Sequence, residues 1–286
     1  MIGLLTDSNS QLPAELAEQY DIGVVPLTVS VGGTDYLEGE ELDADGFYDL
    51  FDQRAPTVRT SQPSPGRFAE AYEAAARRGA DEIISVHVGS KISGTVNSAR
   101  LAATAASVPV HVVDTGTVSF GVACCVWEAA VALATGSTTE EAAALAAHVG
   151  PTVRNVFVVK ALDLARAGGR LTGPGPSSGL GGTDPDDAPS AIHVLTLTDD
   201  RMEVVGQVTS VREAADAMAA HVRAAGDSLR AGIGFADRAS APLSDALHER
   251  LSEAPEVRDL VRYRVGPSVG AHTGPGTVGV MYYESP

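Results

Sequence analysis

In the first half of the chain, short apolar runs alternate with amphipathic stretches. Residues 2–6, 22–29, 82–88 and 108–113 read as strands, and 13–20, 44–52, 66–78, 93–106, 118–134 and 139–149 as helices. That alternation is what parallel strands joined by crossover helices produce, because each helix must bury one stripe against the sheet. It predicts an α/β fold: a doubly wound, mainly parallel sheet, with ligands bound beyond the carboxyl ends of the strands. A length of 286 residues leaves room for a second unit. Gly150-Pro151 marks a boundary, giving an N-terminal α/β domain over 1–150 and a C-terminal α/β domain over 151–286. In the latter, strands are expected at 154–159, 191–197, 202–208, 230–236, 261–265 and 278–283, and helices at 211–225 and 242–251. A stretch rich in Gly, Pro, Ser and Asp at 168–190 reads as an irregular loop, and Asp199-Asp200 as a hairpin turn.

Charge narrows the partners. The net charge is −17 and no cluster of Lys or Arg occurs, so a nucleic acid, held through its phosphates, is not an expected partner. The lysines are Lys91 and Lys160 alone. The N-terminus Met1-Ile2-Gly3-Leu4-Leu5-Thr6-Asp7 lacks the basic start of a secretory signal, and no run approaches the ~20 apolar residues of a membrane span. Cys124 and Cys125 are adjacent, which is neither metal-ligand nor disulfide spacing. These features predict a reduced, cytoplasmic protein without a metal or cofactor, and leave room for transient contact with a membrane surface.

Two hydroxyl-rich stretches stand where strands should give way to helices. One is Gly89-Ser90-Lys91-Ile92-Ser93-Gly94-Thr95, the other Thr60-Ser61-Gln62-Pro63-Ser64-Pro65. A helix N-terminus has unpartnered N–H groups and a positive dipole end, so it suits a carboxylate or phosphate. Ser93 and Thr95 add hydroxyl donors, and Gly94 lets a ligand oxygen come close to the backbone. Helix caps with a permissive glycine account for the same residues, and that reading stays open. Asp7 ends the first strand, where it caps the next helix or orients a hydroxyl. Asp114-Thr115 reads as structural. Gly168-Gly169-Arg170 puts a guanidinium on a turn, and His272 stands in a glycine-rich loop from which it can approach a ligand. The G-x-G-x-x-G at Gly274-Pro275-Gly276-Thr277-Val278-Gly279 precedes a β-rich tail rather than a helix and is not a dinucleotide site. A serine hydrolase using Ser93, His272 and Asp7 is an alternative, although no G-x-S-x-G elbow is present. No Walker A or H-E-x-x-H motif occurs.

The order and spacing of these motifs resemble the DegV family of fatty-acid-binding proteins, which includes the FakB subunits of bacterial fatty acid kinase. The resemblance runs through Thr6-Asp7-Ser8, Thr60-Ser61-Gln62-Pro63-Ser64, Ser90 to Ser98, Val113-Asp114-Thr115, Gly168-Gly169-Arg170 and His272-Thr273-Gly274-Pro275-Gly276-Thr277. It implies two α/β domains with a long-chain fatty acid such as palmitate between them. It further implies a carboxylate held at Thr60 and Ser93, with Ser61, Gly94 and Thr95 adjacent, and a carrier that presents the acyl group to a separate kinase rather than an enzyme. Asp7, Arg170 and His272 would support the head group or face the kinase. One region departs from the pattern: where the family shows Lys-Pro-Ile and later Lys-Val-Arg, this chain has Ala188 to Ile192 and Gln207-Val208-Thr209. A dihydroxyacetone-kinase-like enzyme using His272 is a further alternative.

Overall fold

The computed structural model describes residues 1–54, 57–159, 191–198 and 201–286. The chain divides into two compact units, Met1–Leu42 with Thr57–Val153, and Asp43–Pro56 with Arg154–Pro286.

The first unit contains, in chain order, β1 (Ile2–Asp7), α1 (Ala14–Gln19), β2 (Ile22–Val25), β3 (Thr28–Val31) and β4 (Thr34–Leu37). After helix α2 (Ala44–Arg54), which belongs to the other unit, come β5 (Val58–Ser61), α3 (Pro65–Arg77), β6 (Glu82–His87) and α4 (Thr95–Ala103). The unit closes with β7 (Val110–Asp114), α5 (Phe120–Ala134) and α6 (Thr139–Val149). Strands β2-β1-β6-β7 form a wholly parallel sheet, as the alternation predicts. On one face Leu5, Val25 and Ile83 pack with Phe68 and Tyr72 of α3 and Ala99 of α4. Helix α5 is apolar on all sides, and 12 of its 15 residues are buried, as such a helix must be. Both cysteines lie in it, buried and not joined in a disulfide.

The expected single strand at 22–29 is two strands in two sheets. Pro26 carries no N–H for a ladder, and the N–H of Leu27 leaves it to donate to Ser8 Oγ at 2.9 Å. Strand β3 then pairs with β4 through Gly32-Gly33, both at positive φ (59° and 90°), where glycine is favoured. It also pairs with β5, completing a small antiparallel sheet β4-β3-β5.

The second unit comprises α2, β8 (Arg154–Val158), β9 (Ile192–Thr198), β10 (Arg201–Val208), α7 (Val211–Arg223), β11 (Leu229–Phe235), α8 (Ala241–Ser252), β12 (Val257–Arg264), α9 (Pro267–Thr273) and β13 (Val278–Glu284). The sheet order is β10-β9-β8-β13-β11-β12, with only β11–β12 parallel. Helices α7 and α8 cover one face through Met218, Val222, Leu247 and Leu251, packed on Val156, Val194, Ile233 and Val280. Helix α2 adds Phe47 and Tyr48, which press against Gly270 so closely that a Cβ there would lie 2.8 Å from the Phe47 ring. Among the described residues no helix is long and apolar enough to cross a membrane.

Candidate functional site: a hydroxyl-lined helix corner

The corner after β6 is built from beneath. Asp7, at the end of β1 and wholly buried, takes three hydrogen bonds: from Asn9 N–H at 3.1 Å, from Val88 N–H at 3.0 Å and from His87 Nδ1 at 3.0 Å. With its proton on Nδ1, His87 accepts the Ser85 hydroxyl at Nε2 (2.6 Å), and Ser85 in turn accepts from Tyr72 (3.0 Å). Burial pushes the Tyr72 phenol up to about 12 against the opposing effect of its bond to Ser85, so it stays a neutral donor. Every member of this chain is buried and satisfied, which fixes Val88 immediately before the corner.

The corner is also held from the side. Gly89 N–H donates to Thr117 O at 2.8 Å, and a Cβ on Gly89 would sit 2.8 Å from the carbonyl carbon of Gly116, so only glycine fits. Thr115 Oγ1 donates to His87 O at 2.8 Å. Asp114 accepts from the N–H groups of Ser90 (3.0 Å) and Gly116 (3.2 Å). Partial burial works to raise its pKa, but the Ser90 and Gly116 hydrogen bonds and the Arg100 charge outweigh it and hold the carboxyl below its ordinary value.

Helix α4 starts with Gly94, not Ser93, at the cap position. Ser93 Oγ instead accepts the Thr95 N–H at 3.3 Å and pairs with Thr95 Oγ1 at 2.8 Å, so two hydroxyls stand together over the first turn. That turn includes the N–H groups of Val96 and Asn97, where an α-helix leaves its donors without intrahelical acceptors and its dipole is positive.

Gln62 brings the second hydroxyl cluster to this corner. Its Nε2 donates to Ser98 Oγ at 3.1 Å, and its side chain lies on Gly94 so tightly that a Cβ there would be 2.6 Å from Gln62 Cδ. The stretch leads from a strand into a helix as expected, with Thr60 and Ser61 on the strand side. They end strand β5, opposite Val29 and Thr28, because β5 is the third strand of the small sheet, and the helix-capping hydroxyl is Ser64, which accepts from Arg67 N–H at 3.3 Å. Thr60 is half-buried and Ser61 exposed. The result is a concentration of hydroxyl and N–H donors within one unit, suited to an anionic oxygen pair.

The match to known families decides the relationship. Residues 1–285 match the family described as "Uncharacterised protein, DegV family". This chain belongs to the DegV family. It is 37% identical to a DegV domain-containing protein of Streptomyces coelicolor over 98% of this chain and 97% of that one. A DegV domain-containing protein of Deinococcus radiodurans is 35% identical over 98% and 97%. Among solved structures, a DegV-family protein from Thermus thermophilus described for its fatty acid binding superposes with a TM-score of 0.80 at 31% identity, covering 99% of each chain. A Thermotoga maritima protein described as revealing a fatty acid binding function gives 0.81 at 25% identity, again over 99% of each.

The remaining residues singled out in this DegV chain fare differently. Asp7 is a buried support for Val88 and caps the short 3-10 turn Ser8–Ser10 through Asn9 N–H, whereas the next α-helix, α1, starts after Pro13. The Asp7 carboxylate is engaged by His87, a residue of the same unit. His272 lies in the last turn of α9, not in a loop, because Pro267 suits a helix's first turn and Gly274, at φ 74°, ends it. Arg170, with Gly168-Gly169, the loop at 168–190, residues 188–190, Lys160 and Asp199-Asp200 lie outside the described residues. Asp114 is structural, as expected of it; sequence reasoning missed two groups, Gln62 as the contact with α4 and His87. Only His87 carried a signal, since a polar residue between Val86 and Val88 in a buried strand demands a partner.

Proposed function

We propose that this protein binds a long-chain fatty acid such as palmitate, holding the carboxylate at the corner of Thr60, Ser61, Ser93, Gly94 and Thr95, and carries the acyl group to a separate fatty acid kinase. The observation that carries the reading is the seat of Gln62 on Gly94 and Ser98, which sets the residue following Ser61 against the first turn of α4. The fatty acid binding described for the Thermus thermophilus relative supports the choice of ligand. The kinase partnership rests on the resemblance to the FakB subunits, with Arg170 and His272 as head-group or partner-facing residues.

The division of labour follows from magnitudes. Each buried methylene contributes roughly 0.8 kcal/mol, so a tail of a dozen or more supplies on the order of 10 kcal/mol before ordering costs. Hydrogen bonds to a charged carboxylate add about 1.5–3 kcal/mol each and fix which end sits at the corner. Mass spectrometry of an organic extract of the purified protein is expected to show long-chain fatty acid, and Ser93→Ala to weaken retention of added palmitate by about tenfold while leaving the tail-driven part intact. An extract free of fatty acid, together with no uptake of palmitate, overturns the proposal. Acyl phosphate formation by a fatty acid kinase and ATP, dependent on this protein, tests the partnership.

A further inference from the structure

We propose that Glu82, His111 and Glu140 form a binding site for one first-row divalent cation, zinc fitting the donors best, at the end of the N-terminal unit's parallel sheet away from the hydroxyl-lined corner. One imidazole nitrogen and two carboxylate oxygens, one from each residue, all lie within 4.8 Å of one another. His111 Nε2 and Glu82 Oε2 are already 3.1 Å apart. That separation is close to the edge of a tetrahedron whose metal–ligand bonds are about 2.0–2.1 Å long. The exposed Glu140 side chain has the freedom to close the remaining gap, and water completes the shell.

The convergence follows from the fold rather than from sequence spacing. His111 pairs with Ile84 in the parallel register of β6 and β7, and Glu82 stands two residues before Ile84, so both side chains leave the same face of the sheet. Helix α6 packs on that part of the sheet and delivers Glu140 from its first turn. A capping box between Thr138 and Glu141 fixes the helix start, with hydrogen bonds of 2.9 and 3.2 Å. Three rigid elements thus present one ligand each.

Electrostatics favour a cation there. Two carboxylates converge in a chain of net charge −17, and among the described residues neither is paired with an arginine or lysine. Among the described residues the Glu140 side chain has no hydrogen bond or ion pair, and the Glu82 side chain has only His111. A mixed nitrogen and oxygen donor set selects zinc-like ions over magnesium or calcium, which prefer oxygen alone. An occupied site would tie β6, β7 and α6 together and stabilise the unit by linkage.

The test is calorimetric titration of the full-length, metal-free protein with ZnCl2, with CoCl2 absorbance as the report of coordination geometry. One equivalent is expected to bind, to raise the thermal midpoint, and to resist displacement by excess MgCl2. His111→Ala and Glu140→Gln should each weaken zinc binding by at least the roughly ten- to hundredfold that loss of an outer-shell partner costs. Glu140→Gln changes one exposed side chain, and in chelator it should unfold as the wild type does. Absence of stoichiometric binding overturns the proposal. So does unchanged affinity in either variant, which would place the zinc on others of the seven histidines.

Discussion

Two residues decide the corner, and neither is a hydroxyl. Gly94 matters because the space a methyl would occupy is filled by Gln62. Gly94→Ala is expected to cost only about 1 kcal/mol of stability, since the Gln62 side chain can swing away, yet to break the Gln62–Ser98 bond and so weaken fatty acid retention by no more than Ser93→Ala does. Retention assays beside denaturant unfolding curves would separate the two effects. His87 matters because it is the hinge of a buried chain of hydrogen bonds. His87→Leu strips the ring from Asp7 and Ser85 in a place water does not reach, and should destabilise the protein by about 2–4 kcal/mol in equilibrium unfolding. Asp7 would keep the Val88 and Asn9 N–H groups, so the loss should stop short of complete unfolding.

Among elements, the turns after β6 and β7 act as a pair, with Asp114 of one strand end holding Ser90 of the other. Because its pKa is held below the unfolded carboxylate value, near 3.9, the stabilisation is present above that pH and is lost as pH falls through the lower folded value. The clamp therefore contributes nothing to any pH dependence between about 5 and 8. Acid titration of stability should show a loss below about pH 4 that is reduced in Asp114→Asn, whose amide oxygen can still accept but does not titrate. The small sheet β4-β3-β5 bears on the corner differently, since β5 ends at Ser61, next to Gln62 where it meets α4. Its hairpin went unread although Gly32-Gly33 stands between the β-branched Val31 and Thr34, because the apolar run from Ile22 through Val29 reads as one strand and hides the break at Pro26.

For the molecule as a whole, a ligand that binds only the folded chain must stabilise it. At a free concentration one hundred times its dissociation constant the gain is about 2.7 kcal/mol, so if the proposed function holds, stripping fatty acid should lower the thermal midpoint by roughly 5 °C or more. Scanning calorimetry of delipidated and reloaded protein checks this. The alternation of apolar and amphipathic runs specified the parallel sheet, because strand and helix periodicities are local properties that burial enforces along the chain. The hydroxyl clusters were likewise visible as types in order, enough for the family to be recognised. What remained hidden was pairing at a distance. Gln62 against Gly94, Asp7 against His87, Glu82 beside His111 and the assignment of α2 to the C-terminal unit depend on which elements become neighbours, and no local preference of the chain encodes that. Sequence determined the layers and the chemistry available, whereas tertiary structure alone selected which of those groups meet, since hydrogen bonds act over ~3 Å and their partners here lie tens of residues apart.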